Sequence, residues 1–158
     1  MSTQDLDRVE KTVMLVREFD APRELLFDMF TRPEHMERWW GPREFTASKV
    51  AVDLRVGGAW TLTMSNERFG DTLIDGVYRV VDRPSKLVFT STPKAPDGSM
   101  MLEGLVTVEF EAEGERTRVT LTAHATGAPY MQPWLDGMNE GWNQSLAKMG
   151  EYAAEVSQ

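Results

Sequence analysis

The chain has 158 residues, 41% hydrophobic and 27% charged, with a formal net charge of −8 and no cysteine. Such a length and composition fit a single soluble domain with a sizeable core. The acidic balance speaks against nucleic acid or an anionic membrane surface as partner, since both need clustered Lys and Arg. The lack of cysteine excludes disulfides, thiol nucleophiles and Cys-based zinc sites, and it fits a reducing cytoplasm.

No apolar run approaches the roughly 20 residues of a membrane span. Met1 to Glu10 is polar, without the apolar stretch of a signal peptide, and reads as a flexible tail before one domain over residues 11–156. Lys11 to Phe19 alternates and is rich in Val, which predicts a strand. Asp20-Ala21-Pro22 ends it, with Asp20 or Ala21 as the cap of a short helix carrying Leu25, Leu26, Met29 and Phe30. Thr31-Arg32-Pro33 breaks that helix, and a second is expected from Glu34 to about Trp39. Gly41-Pro42 stops it. Of the adjacent Trp39 and Trp40, one should pack inward and the other against a loop or at a cavity mouth.

Six more strands are expected: Thr46 to Leu54, Ala59 to Ser65, Thr72 to Val81, Lys86 to Thr92, Met101 to Glu111 and Thr117 to Ala125. Turns at Gly57-Gly58, Arg83-Pro84-Ser85 and Glu113-Gly114-Glu115 separate several of them, and Thr92 to Ser99 reads as a surface loop. Alternation assigns an inner face to Val50, Val52 and Leu54, then to Trp60, Leu62 and Met64, and then to Ile74, Gly76, Tyr78 and Val80. It does the same for Leu87, Phe89 and Ser91, for Leu102, Gly104, Val106, Val108 and Phe110, and for Val119, Leu121 and Ala123.

The chain closes on one long helix, from Pro133 at its first position to about Val156. Leu135, Met138, Trp142, Leu146, Met149 and Tyr152 recur at steps of three and four and share one stripe. Asp136, Glu140, Asn143, Lys148, Glu151 and Glu155 suit the watered side. The stripe mixes Met and aromatic groups with the small Gly141 and Ser145. Methionine adapts to irregular space, so the helix is expected both to close a core and to wall a cavity.

Catalytic motifs are sparse. The two histidines, His35 and His124, lack metal-ligand spacing, so no metal is expected. There is no G-x-S-x-G, and Gly57-Gly58 lacks the Lys-Ser/Thr of a phosphate loop. Asp75 and Glu103 point away from the inner face and, with Arg17, read as solvated strand charges rather than acid–base groups. No catalytic residue and no cofactor are assigned.

Several ordered segments carry a resemblance. They are Asp20-Ala21-Pro22-Arg23-Glu24-Leu25, Pro33-Glu34-His35-Met36, Arg38-Trp39-Trp40-Gly41-Pro42, Asp53-Leu54-Arg55-Val56-Gly57-Gly58-Ala59-Trp60, Gly76-Val77-Tyr78, Lys86-Leu87-Val88-Phe89-Thr90 and Gly141-Trp142-Asn143-Gln144-Ser145-Leu146. Together they resemble the bacterial proteins similar to the C-terminal domain of the activator of the Hsp90 ATPase, the AHSA1 family of the START-like or SRPBCC superfamily. The resemblance implies an α+β helix-grip fold, START/Bet v1-like. An antiparallel sheet of six to seven strands would wrap a long C-terminal helix, with two short helices after the first strand and a hydrophobic pocket between.

On these grounds a cavity between sheet and helix is expected, lined by Trp60, Met64, Tyr78, Phe89, Met138, Trp142, Ser145 and Met149. Gly104 and Gly141 would leave room for a guest. Tyr78 and Ser145 would orient it. The partner expected is a small apolar molecule, with a homodimer plausible. A cyclase- or dehydratase-like enzyme acting on an enolisable substrate is the first alternative. A stress- or chaperone-linked interaction module is the second.

Overall fold

Seven strands form one sheet in a computed structural model that describes residues 8–156. β1 (Val9–Phe19) leads into α1 (Arg23–Thr31) and α2 (Pro33–Trp39). The meander follows as β2 (Thr46–Val52), β3 (Ala59–Asn66), β4 (Gly70–Asp82), β5 (Lys86–Pro93), β6 (Leu102–Glu113) and β7 (Arg116–Gly127). A 3₁₀ turn (Pro129–Met131), α3 (Gln132–Asp136) and α4 (Met138–Val156) complete the chain. The strand order is β1-β7-β6-β5-β4-β3-β2, with every neighbouring pair antiparallel. This is the helix-grip arrangement, a sheet curled against a C-terminal helix.

Alternation does most of the work. On β6, Leu102, Val106, Val108 and Phe110 are buried while Glu103, Glu109 and Glu111 face water. On β7, Val119, Leu121, Ala123 and Ala125 turn inward beside them. α1 and α2 cover one end of this face. Phe27 and Phe30 meet the Phe110 ring at 5.5 and 5.6 Å, and Phe30 meets Trp39 edge-on at 4.8 Å. Each such ring pair is worth about 0.5–1.5 kcal/mol beyond burial itself. From α4, Leu146, Met149 and Ala153 join the same core.

Several boundaries differ from the sequence reading. β1 starts at Val9, whose register partner is Gly127, so the polar lead-in is shorter than expected. The rest of the expected tail, residues 1–7, lies outside the described residues. The cap of α1 is Pro22, with no side-chain bond, rather than Asp20 or Ala21. Ala21 is buried, and its carbonyl accepts the Thr117 hydroxyl at 2.8 Å. Pro33 begins α2 instead of preceding it, as its missing N–H allows.

Two strands bulge. In β2 the register shifts between Ser48 and Ala51, where Lys49 takes a φ of 53°. β2 then stops at Val52, which leaves Leu54 exposed in the turn. In β4 the shift lies between Tyr78 and Val80, so Val81, paired with the buried Leu87, packs on the core in place of the expected Val80. The C-terminal helix is interrupted at Gly137, whose N–H is shared between the Pro133 and Trp134 carbonyls, each at 3.2 Å. A glycine inside a helix costs about 1 kcal/mol relative to alanine, and here it marks the joint. Pro133 sits second rather than first in α3.

Candidate functional site

The inner face is not filled evenly. A large core holds α1, α2 and the aromatic residues of the sheet. A smaller one gathers Leu102, Ala125, Met131 and Leu135. Between them a cavity of about 460 Å³ opens. Its floor is the end of the sheet: Ile74 on β4, Ser91 and Pro93 on β5, Leu102, Gly104 and Val106 on β6, Ala123 and Ala125 on β7. Glycine, alanine and serine keep this floor low. Its roof is the joint of the C-terminal helix, with Pro133, Trp134, Met138, Trp142 and Ser145. The third side is Trp40 to Pro42 and Phe45, with Met64 and Phe69.

Of the residues expected to line a cavity, Met64, Met138, Trp142 and Ser145 do so. Trp60, Tyr78, Phe89 and Met149 do not border it; all four lie in the closed core beside it. Trp60 is held there because its indole N–H reaches over Gly76 to the Thr90 carbonyl at 3.0 Å. A Cβ on Gly76 would fall 1.8 Å from that carbonyl oxygen, so only glycine permits the crossing. Trp142 meets none of the expected sheet rings directly. Trp40 stands between, 6.0 Å from Trp142, 5.4 Å from Trp60 and 5.8 Å from Phe89.

Among the described residues, no Lys, Arg, Asp or Glu borders the cavity, and His124 is the one titratable residue at its edge. Its ring is engaged elsewhere: Nδ1 lies 2.8 Å from Thr12 Oγ1, and Nε2 lies 4.0 Å from Glu10. Ser145 donates its hydroxyl to the Gly141 carbonyl at 2.9 Å, one turn back on the helix. The Tyr78 hydroxyl is sealed and without a partner, and burial pushes its pKa well above the ordinary phenol value. Asp75 pairs with Lys94 at 3.6 Å and Glu103 with Arg8 at 3.3 Å, while Arg17 bonds Asn143. None of these three borders the cavity. Among the described residues no three His, Asp or Glu side chains come together as a metal site would require.

A second cleft of about 290 Å³ lies where α2 and the segment after it meet α4. It is polar and already paired: Arg43 with Glu151, Arg38 with Glu155, and Arg38 over the Tyr152 ring at 4.8 Å. Lys148, expected on the watered side, is half-buried here. Its ammonium takes the carbonyls of Gly41, Pro42 and Phe45 at 3.1, 3.4 and 3.4 Å. Desolvation, then Arg43, lowers its pKa. These bonds tie the cavity's third side to the helix. The His35 Nδ1 adds a 2.7 Å bond to the Tyr152 hydroxyl.

Sequence reasoning missed Trp134, Phe45 and Phe69 as cavity residues. Trp134 lies beside the periodic stripe, and the other two fall in irregular segments, where periodicity carries no signal. Trp40 was detectable only as half of an undecided pair. Ser91 and Gly104 were on the inner face by alternation.

An antiparallel sheet gripping a C-terminal helix around an apolar cavity defines a START/Bet v1-like domain. The family model described as activator of Hsp90 ATPase homolog 1-like protein matches residues 20–154, and the chain belongs to that family. A protein from Arthrobacter aurescens solved by NMR is similar with a TM-score of 0.80 and 23% identity, over 91% of this chain and 86% of that one. A Nitrosomonas europaea protein gives 0.77 and 23%, over 92% and 96%. The AHSA1 protein from Silicibacter pomeroyi gives 0.72 and 26%, over 93% and 98%. No curated protein matches the chain. No helix among the described residues is long and apolar enough to cross a membrane.

Proposed function

We propose that this protein binds a small, mostly apolar molecule in the cavity between the sheet and the C-terminal helix. One observation carries the reading: about 460 Å³ of space bounded mainly by apolar side chains, with no Asp, Glu, Lys or Arg among the described residues at its border. Burial would supply affinity at roughly 25 cal/mol per Å² of apolar surface, less the cost of ordering the guest. A cyclase or dehydratase would need acid and base groups converging on the substrate. Asp75, Glu103 and Arg17 are away from this cavity, the Tyr78 hydroxyl is sealed in the core beside it, and the Ser145 hydroxyl at its border is bonded to the Gly141 carbonyl, which favours a binder. An interaction module would be favoured by a filled core, and this core is open at one end. The absence of cysteine supports a cytoplasmic setting.

The test is native mass spectrometry of the protein purified from its own host. The expected result is one small molecule per chain, released by organic solvent. Bare protein, together with a melting temperature that no apolar compound raises, would refute the reading.

A further inference from the structure

The five tryptophans divide into two groups. Trp39 and Trp60, in the closed core, donate their indole N–H to the carbonyls of Met29 and Thr90 at 2.9 and 3.0 Å. Trp40, Trp134 and Trp142 all border the cavity. Their N–H groups make no hydrogen bond among the described residues. Tyr78 is the one residue there with a polar side-chain atom both sealed and unpaired, so the Trp40 N–H, on a ring only 6% exposed, keeps an open path. The cavity is the space that ring borders.

Ser91 adds a hydroxyl donor. Strand alternation puts its side chain on the inner face beside Gly104, where an added Cβ would touch the Ser91 Cβ at 3.6 Å. Ser145 has given its proton to Gly141 and can only accept. Among the described residues no lysine or arginine borders the cavity: Lys148 borders the other cleft and is taken up by three carbonyls, and the His124 ring at the edge is engaged with Thr12 and Glu10. The lining thus offers donors without charge.

We infer that the cavity selects an uncharged molecule bearing a hydrogen-bond acceptor, such as a ketone, ester or ether oxygen, over both its hydrocarbon and its carboxylate counterparts. This rests on the cavity being a ligand site. A pure hydrocarbon would displace water from the indole and serine donors and leave them unpaired. A carboxylate would satisfy the donors but bury a charge with no counter-charge to meet it. A neutral carbonyl oxygen avoids both costs.

Three naphthalenes of matched shape separate the possibilities by isothermal titration calorimetry at neutral pH: 2-acetylnaphthalene, 2-ethylnaphthalene and 2-naphthoate. The ketone should bind about fivefold to tenfold more tightly than the hydrocarbon, the worth of one net hydrogen bond. It should exceed the carboxylate by more than about tenfold. Trp40→Phe and Ser91→Ala keep most of the shape and remove a donor. In at least one of them the preference for ketone over hydrocarbon should shrink toward unity. Equal binding of hydrocarbon and ketone, or equal or tighter binding of naphthoate, would overturn the inference while leaving the cavity reading standing. An unchanged ketone preference in both variants would also overturn it. If none of the three binds, the cavity reading falls and the inference with it.

Discussion

The two ends of the sheet's inner face differ in what stands opposite what. At the closed end, rings face rings: Phe27 and Phe30 meet Phe110, Trp39 meets Phe30, and Trp40 meets Trp60 and Phe89. At the open end, the floor is Ser91, Gly104, Ala123 and Ala125, and the helix above it breaks at Gly137. Trp39 and Trp40 sit at the boundary. One is sealed with its N–H satisfied; the other keeps an edge on the cavity. Side-chain volume, rather than hydrophobicity, decides which part of one continuous face becomes core and which stays hollow.

Truncation at the closed end should therefore cost most. Phe30→Ala removes a ring 1% exposed and should lose about 3–5 kcal/mol in equilibrium denaturation. A cost under about 1 kcal/mol would mean that the closed end is loosely packed. Gly76→Ala drives a Cβ into the Thr90 carbonyl and the Trp60 indole and should cost at least about 1–3 kcal/mol. Gly141→Ala is its counterpart at the open end, where the new Cβ meets only Pro42 Cγ, at 3.5 Å. Relief of a helical glycine should make it neutral or stabilising by up to about 1 kcal/mol, while apolar compounds bind more weakly. If Gly76→Ala and Gly141→Ala destabilise equally, the difference between the ends is lost.

Trp142→Ala sharpens the contrast further. The ring is only partly buried and borders empty space, so its loss should cost less than about 2 kcal/mol yet abolish most binding of apolar compounds, as read by titration calorimetry. A loss as large as that of Phe30→Ala would make it core. The smallest effect concerns the exposed Arg43–Glu151 pair. The Arg43 hydrogen bond holds the Glu151 carboxyl below its ordinary value. Its contribution is thus present above about pH 4.5 and is lost as pH falls through the depressed folded value. Thermal melts should find Glu151→Gln close to wild type at neutral pH and indistinguishable at low pH.

The fold was legible because both of its periods are clean. The alternation from Leu102 to Phe110 and the helical stripe from Met138 to Tyr152 can each be placed in only one way. The departures have local causes. A bulge at Lys49 or near Arg79 inserts one residue that an alternation count passes over, and the helical stripe runs through Gly137 although the backbone changes there. The site was less legible. Alternation assigns a face but not a distance along the sheet, so Trp60, Tyr78 and Phe89 were placed inward correctly yet belong to the filled end. Emptiness comes from small residues brought together by three strands, Ser91, Gly104 and Ala123, which are far apart in sequence.

The distinction between the ends is most directly tested on the tryptophans themselves. In ¹⁵N-labelled protein the five indole N–H groups give separate NMR signals that can be assigned by substitution. Titration with 2-acetylnaphthalene should shift the Trp40 and Trp142 signals saturably and leave those of Trp39 and Trp60 in place. Shifts of equal size in all four, or in none, would contradict the account of one closed end and one receptive end.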